Sequence, residues 1–269
     1  KTGVEIALLE DKRLVELHQG NSESTHLVGD IYLGQVKKLL PGLNAAFIDV
    51  GSKKDGFLHY LDLGLYYKAL EKFTKICMSG GGDSMDFAKL KEPKLEKSGK
   101  IVETLKQGQV ILVQVSKEAI STKGPRLCTE ISFAGRYLVL VPFSEKVSVS
   151  QKIKSAEERN RLRKLIKSIK PDNFGIIIRT IAEGKSVAEL DADLKDLLSK
   201  WESIKKKLPK ALPPTKLVSE LDKSSVILRD MLTEEFNNVY VNDADLYEEL
   251  KGYISSICPE KEDILHLYK

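Results

Sequence analysis

The segment Gly29–Gly56 constrains the fold of this chain more than any other. Its sequence is GDIYLGQVKKLLPGLNAAFIDVGSKKDG, and it continues directly into Phe57-Leu58-His59. β-branched or small apolar residues that alternate with polar ones between glycines are typical of short, half-buried strands joined by turns. The segment therefore predicts a small twisted β-barrel.

Aromatic and basic residues lie close together within these predicted strands. Phe47 and Phe57 lie in a stretch of sequence that also contains Lys37, Lys38, Lys53 and Lys54. Small barrels bind single-stranded nucleic acid by stacking bases on such rings while ammonium groups follow the phosphates. Alternatively, both phenylalanines belong to the hydrophobic core, where a strand phenylalanine is usually found.

Four blocks of the sequence resemble the ribonuclease E/G family in order and spacing. They are residues 29–59, QVILVQVSKEAISTKGPR at 109–126, ISFAGRYLVLVP at 131–142 and FGIIIRT at 174–180. The first two resemble the family's S1-type RNA-binding barrel, and the last two resemble its 5′-sensor. The resemblance covers nearly the whole chain and implies a multidomain α+β fold. In that fold, an S1-type OB-fold barrel and a 5′-sensor subdomain are inserted in a degenerate RNase H-like α/β domain.

The resemblance implies four segments, which are 1–26 (RNase H-like domain, first part), 27–129 (S1-like OB-fold RNA-binding domain), 130–224 (5′-sensor subdomain) and 225–269 (RNase H-like domain, second part). Residues from about 61 to 106 are an insertion in the barrel. Because 79–83 and 91–100 are rich in glycine or lysine and aperiodic, we expect a mobile loop there. That loop either adds basic contacts to RNA or is simply solvated.

Local signals predict individual elements. Val4–His18 should form a hairpin that turns at Asp11-Lys12. Ser155 and Ser186 each precede a glutamate by three residues, the capping-box pattern of a helix start. Apolar residues spaced by three and four after Ser186 predict a buried helical stripe, and we assign Trp201 to that stripe and not to base stacking. The last segment should contain helix, strand, helix and strand.

The resemblance also implies the binding residues. Positions matching the family's 5′-monophosphate pocket are Gly135 and Val139, through backbone groups, and Arg179 and Thr180. Arginine offers a bidentate fork to phosphate, threonine a hydroxyl and an N–H, and glycine a close approach to the backbone. Without the resemblance, Arg179 would be interpreted as a surface residue in a salt bridge.

Further RNA-binding candidates lie outside that pocket. They are Phe47, Phe57, Lys37, Lys117, Lys123 and Lys152. Some family members have two arginines where this chain has Gln151-Lys152, so one charge is missing here. Arg136 and Lys154 are the nearby cations that could replace it.

Catalysis is expected elsewhere. In the family, RNA is hydrolysed by a DNase I-like subdomain whose paired aspartates hold Mg²⁺. Neither that motif nor the cysteine motif of the family's zinc link occurs in this sequence, and the chain begins inside a strand-like pattern. We therefore expect the RNA-binding part of a Mg²⁺-dependent endoribonuclease, with no catalytic or metal-binding residue of its own. Zn²⁺ would belong to the missing linker.

Composition narrows the class of protein. The net charge of +4 is too small to establish nucleic-acid binding without clustering. No apolar run could span a bilayer, and no signal peptide is evident. Cys77, Cys128 and Cys258 lack paired spacing, which indicates free thiols in a reducing compartment, expected to be the cytoplasm.

Three functions fit these observations. The first is the part of a ribonuclease E/G enzyme that binds single-stranded RNA with a 5′-monophosphate, acting in RNA processing and decay. Such enzymes tend to be homo-oligomers. The second is a stand-alone S1-domain RNA-binding regulatory protein without nuclease activity. The third is a two-metal nuclease that uses acidic residues of the RNase H-like domain.

Overall fold

The structure is a computed structural model that describes residues 4–20, 26–121, 123–233 and 235–268. Contacts between residues divide the chain into two compact units. One unit consists of residues 1–24 and 221–269, and the other of residues 25–220. Within the described residues, no helix is both long enough and apolar enough to cross a bilayer.

The first strands form the predicted hairpin. β1 (Val4–Glu10) and β2 (Arg13–Gly20) pair antiparallel. Asp11 and Lys12 make the turn with φ of 48° and 64°. Two successive residues with positive φ match the right-handed twist of the strands they join, so the predicted turn position is confirmed.

A closed barrel of five strands follows. The strands are β3 (Ile31–Leu40), β4 (Ala45–Asp49), β5 (Gly56–His59), β6 (Val110–Lys117) and β7 (Arg126–Cys128). Their order is β3-β4-β5-β7-β6, and β6 pairs again with β3 to close the barrel. Alternate side chains such as Ala46, Ile48 and Leu58 are fully buried inside. The arrangement is consistent with the predicted OB-fold.

The insertion between β5 and β6 differs from the loop expected from the sequence. Its helices are α1 (Tyr67–Met78) and α2 (Ile101–Thr104). Phe73 of α1 is completely buried and stacks on Trp201, with 4.4 Å between ring centroids. In the lysine-rich stretch, the hydroxyl of Tyr60 donates to the carbonyl oxygen of Glu96 at 2.6 Å. This packing could not be predicted from local sequence, because the partner of Phe73 lies far along the chain.

A four-stranded sheet follows the barrel. Its strands are β8 (Phe133–Ala134), β9 (Leu138–Pro142), β10 (Val147–Val149) and β11 (Phe174–Ile178), in the order β10-β11-β9-β8. β10 runs parallel to β11, and β9 runs antiparallel to it. The residues that follow β10 and β11 and those that precede β9 therefore meet at one edge of the sheet.

Two helices cover this sheet, α3 (Ala156–Ile169) and α4 (Val187–Lys207). The predicted capping box at Ser186 is present, with reciprocal hydrogen bonds to Glu189. At α3, the hydroxyl of Ser155 accepts the N–H of Glu158, but the Glu158 carboxylate binds other groups. Trp201 is 1% exposed among phenylalanine rings, so its assignment to the core is confirmed.

A last strand, β12 (Thr215–Val218), pairs antiparallel with β3 outside the closed barrel. Its Lys216 ammonium lies 2.6 Å from the fully buried carboxylate of Asp30. That carboxylate also accepts the backbone N–H of Glu220 at 2.8 Å. Because a buried charge requires a partner, this ion pair attaches β12 to the barrel.

The remaining elements belong to the unit that contains the hairpin. They are α5 (Lys223–Met231), β13 (Val239–Val241), α6 (Ala244–Ile257) and β14 (Leu265–Leu267). This order of helix, strand, helix and strand was predicted, and β13 and β14 pair in parallel. Leu228, Ile254 and Leu265 belong to its small core. The RNase H-like arrangement stays a prediction. Cys77, Cys128 and Cys258 are free thiols.

Candidate nucleic-acid interface

A row of five side chains crosses the outer surface of the barrel. Strand register places Lys38 opposite Phe47, Phe47 opposite Phe57, Phe57 opposite Arg126, and Arg126 opposite Lys117. The two rings are partly exposed and meet edge to face, with centroids 6.2 Å apart. They lie outside the barrel core. Cations on either side of two aromatic rings can contact phosphates while the rings stack on bases.

The predicted lysines of the barrel fall into different surroundings. Lys117 lies in this row, and Lys123 is exposed in the loop between β6 and β7. The Lys37 ammonium, in contrast, lies 2.9 Å from Asp55 and 3.5 Å from Asp49. The hydrogen bond to Asp55 raises the pKa of Lys37. Two carboxylates thus already neutralise the charge of Lys37.

Sequence reasoning missed two members of the row, Lys38 and Arg126. Lys38 was noted as a neighbour of Phe47 but was not singled out for binding, and only strand register places Arg126 beside Phe57. The Arg126 guanidinium is oriented by Asp62, to which Nε donates at 2.9 Å and Nη2 at 3.2 Å.

Arg179 lies at this edge of the four-stranded sheet, next to the turn between β8 and β9. Arg179 immediately follows β11, and its backbone N–H donates to the carbonyl oxygen of Tyr137 at 2.8 Å. Its Nη1 donates to the carbonyl oxygen of Gly135 at 2.7 Å. The structure therefore brings together Arg179 and Gly135, two of the predicted phosphate-binding residues.

A pair of hydroxyl groups lies at the same edge. Ser150, directly after β10, has its Oγ 2.8 Å from Oγ1 of the exposed Thr180. The backbone N–H of Ser150 donates to the carbonyl oxygen of Ile178, and that of Lys152 donates to Ser150 Oγ at 3.3 Å. Ser150 was not identified from the sequence, and it is the residue that joins Lys152 to Thr180.

Val139, the fourth predicted phosphate-binding residue, occupies a different place. It lies within β9, opposite Ile177 on one side and Ala134 on the other. Its backbone is thus part of the sheet, one position inside the edge where the other three residues lie.

The turn between β8 and β9 is held by a carboxylate that sequence analysis did not detect. Asp193 of α4 accepts the backbone N–H groups of Arg136 at 3.0 Å, Tyr137 at 2.9 Å and Leu138 at 2.9 Å. A Cβ at Gly135 would lie only 2.5 Å from Asp193 Oδ1, so a larger residue here would displace this carboxylate from the turn. Burial raises the pKa of Asp193, while the three N–H groups act in the opposite direction.

Comparison with known proteins places the chain in one family. The model of the Ribonuclease E/G family matches residues 132–269. Ribonuclease G of Haemophilus influenzae and that of Escherichia coli K12 are each 34% identical over 98% of this chain. Ribonuclease E of Nostoc sp. is 37% identical over 86% of it.

The chain belongs to the ribonuclease E/G family. It spans about half the length of the ribonuclease G relatives and 30% of the Nostoc ribonuclease E. In this member of the ribonuclease E/G family, no three His, Cys, Asp or Glu side chains of the described residues converge as the ligands of a metal ion would.

Proposed function

We propose that this chain is the part of a ribonuclease E/G endoribonuclease that binds single-stranded RNA and senses a 5′-monophosphate. One observation carries the proposal. Arg179, Thr180, Ser150 and Lys152 converge with the Gly135 turn at one edge of the sheet. These groups come from strands that are distant in sequence, and together they offer the donors that a terminal phosphate requires.

The chemistry favours a phosphate monoester at this edge. A guanidinium has N–H donors in a planar fork that suits bidentate binding of phosphate, and the bond from Arg179 Nη1 to the Gly135 carbonyl oxygen orients that fork. The Thr180 and Ser150 hydroxyls can add neutral donors, and Lys152 adds charge. A 5′-hydroxyl end has no charge to pair with Arg179, so it should bind more weakly.

The barrel row would hold the RNA chain itself. Phe47 and Phe57 can stack on bases, while Lys38, Lys117 and Arg126 lie beside them for phosphates. We propose weaker contributions from Lys37, which faces Asp55 and Asp49, and from Arg126, which is paired with Asp62. Lys123 would contact RNA from its loop.

We propose that the longer protein cuts RNA in processing and decay, because the relatives are named ribonucleases. In that longer protein, Mg²⁺ would support RNA hydrolysis and Zn²⁺ would bind in a linker. The protein would form homo-oligomers and act in the cytoplasm.

The described residues of this chain do not fit either metal, since they form no cluster of three metal-binding side chains. We therefore propose that this chain binds RNA without cutting it. Mg²⁺-dependent cleavage that survives repurification would contradict this.

The pocket is tested by comparing two RNAs that differ only in their 5′ end. The wild-type chain should bind 5′-monophosphorylated RNA more tightly than 5′-hydroxyl RNA, and Arg179→Ala should abolish the difference. Arg13→Ala, which removes an exposed arginine of β2, is the matched control and should preserve it. Equal affinities of the wild-type chain for the two RNAs would refute the proposed sensing function.

A further inference from the structure

Positive charge is concentrated in one short segment of the chain. Residues from Lys146 to Lys170 include nine lysines or arginines and two glutamates, a net charge of +7. The whole chain has a net charge of +4, so the rest of it carries a net charge of −3. This segment contains Ser150 and Lys152 of the proposed pocket and the whole of α3.

The charge within α3 is arranged along one side of the helix. Arg159, Arg163 and Lys167 are spaced by four residues, with a rise of about 6 Å between successive members. Lys164 lies beside them, and the adjoining side of the helix buries Leu162 and Ile166 in the core. Lys164 and Lys167 are therefore exposed, whereas Arg159 and Arg163 are half-buried. We call Arg159, Arg163, Lys164 and Lys167 the α3 basic stripe.

No carboxylate in the described part of the chain neutralises the stripe. Two other cations of the segment do have carboxylate partners, since Arg161 pairs with Glu158 at 2.6 Å and Lys170 with Glu145 at 2.8 Å. No carboxylate among the described residues lies within ion-pair distance of the four stripe residues. Arg163 donates instead to the neutral Asn160, at 2.9 Å.

The other long helix of the unit shows the contrast. On α4, Lys195 pairs with Asp191 and Lys205 with Glu202. Interspersed charges of both signs, as on α4, are sufficient to keep a helix surface hydrated and the protein soluble. The α3 basic stripe has one sign only, and such a surface attracts a polyanion.

We propose that the α3 basic stripe binds the phosphates of the RNA strand beyond its 5′-terminal nucleotide. This rests on the proposed function, because the strand is the one whose 5′ end lies at Arg179 and Thr180. The two surfaces are continuous in the structure. α3 packs beside β10, and the chain passes from Ser150 and Lys152 to the Ser155 cap of α3. Arg161 of α3 also donates to the carbonyl oxygen of Lys185, close after Thr180.

The test compares RNA length in two quadruple variants of equal charge. In one, Arg159, Arg163, Lys164 and Lys167 are replaced by glutamine, and in the other Lys195, Lys200, Lys206 and Lys210. The probes are a 5′-monophosphorylated trinucleotide and a ~15-nucleotide RNA of the same 5′ sequence. Melting temperature is measured for each variant, so that affinities refer to folded protein.

The stripe variant should bind the long RNA about tenfold or more weakly than the wild type. The slope of the logarithm of the binding constant against the logarithm of the salt concentration should be smaller in magnitude by about 2–3, because each lost phosphate contact contributes about 0.7. Its affinity for the trinucleotide should be unchanged, and the control variant should resemble the wild type. Unchanged affinity for the long RNA, as expected if the stripe faces an acidic protein or only water, overturns the proposal. An equal loss in the control also overturns it. The preference for a phosphorylated trinucleotide tests the pocket separately.

Discussion

Phe47 and Phe57 lie on the outer surface of the barrel, so they can be changed without opening its core. We expect Phe47→Ala and Phe57→Ala each to weaken binding of single-stranded RNA by about 1–3 kcal/mol through lost stacking. Phe47→Trp, which keeps a stacking surface, should retain affinity. Fluorescence titration and thermal unfolding together decide this. A large fall in melting temperature with normal affinity of the folded protein would mean that the rings only support the fold.

Glu158 joins α3 to the loop that precedes α4. Its carboxylate accepts two hydrogen bonds from Arg161, at 2.6 Å and 2.7 Å, and the N–H of Gly184 at 2.8 Å. These bonds, those from Arg161 above all, lower the pKa of Glu158 from 4.5 to about 2. Because the folded state favours the ionised form, the contribution to the free energy of unfolding is full above the ordinary pKa and is lost as the pH falls toward 2.

Because solvent screens the charge of Glu158, we expect its ionised form to contribute at most about 1 kcal/mol to the free energy of unfolding. Urea unfolding at about pH 6 and about pH 3 measures it. Glu158→Gln should remove this part of the pH dependence, whereas Glu157→Gln, a change at an exposed neighbour, should leave it. The same pH dependence in wild type and Glu158→Gln would show that the bonds to Arg161 and Gly184 do not stabilise the fold.

At the scale of elements, α1 should behave as part of the core although it belongs to an insertion. Phe73→Ala removes a fully buried ring that stacks on Trp201, so we expect a loss of about 3–5 kcal/mol in the free energy of unfolding. Phe57→Ala, which truncates a ring outside the core, is the control and should cost much less. If denaturant unfolding gives equal values for the two variants, the insertion is not packed as described.

Local signals in the sequence were sufficient for some elements and not for others. The hairpin turn at Asp11-Lys12 and the cap at Ser186 depend on neighbouring residues, and both were predicted. Predicting α1 failed because its stabilising contact, Phe73 with Trp201, joins distant segments. Contacts between distant segments also limited what could be predicted about the candidate site. Arg179 was found by resemblance, but Asp193 acts on a turn more than 50 residues away, which no local pattern reveals.

Strand register was the other missing information. The sequence indicated Phe47 and Phe57, and the structure adds that Lys38 and Arg126 flank them. A shift of one residue would turn these side chains to the barrel interior. Register is set by the pairing of whole strands, so the composition of the row could not be predicted from any one strand.

At the scale of the whole molecule, we propose that RNA contacts three surfaces of the unit formed by residues 25–220. They are the pocket at Arg179 and Thr180, the aromatic row of the barrel and the α3 basic stripe. Each would contribute to affinity for RNA, but only the pocket would recognise the chemical state of the 5′ end. Phosphate contacts weaken as salt is raised, so affinity alone does not identify the sensor.

The most direct test is therefore the ratio of two dissociation constants of the wild-type chain, measured at one salt concentration with RNAs identical except for a 5′-monophosphate or a 5′-hydroxyl. We predict a tighter complex with the monophosphate, by about 1.5–3 kcal/mol, the usual contribution of a hydrogen bond to a charged group. A ratio of one, with RNA still bound, would contradict the assignment of the sheet edge as a 5′-phosphate pocket.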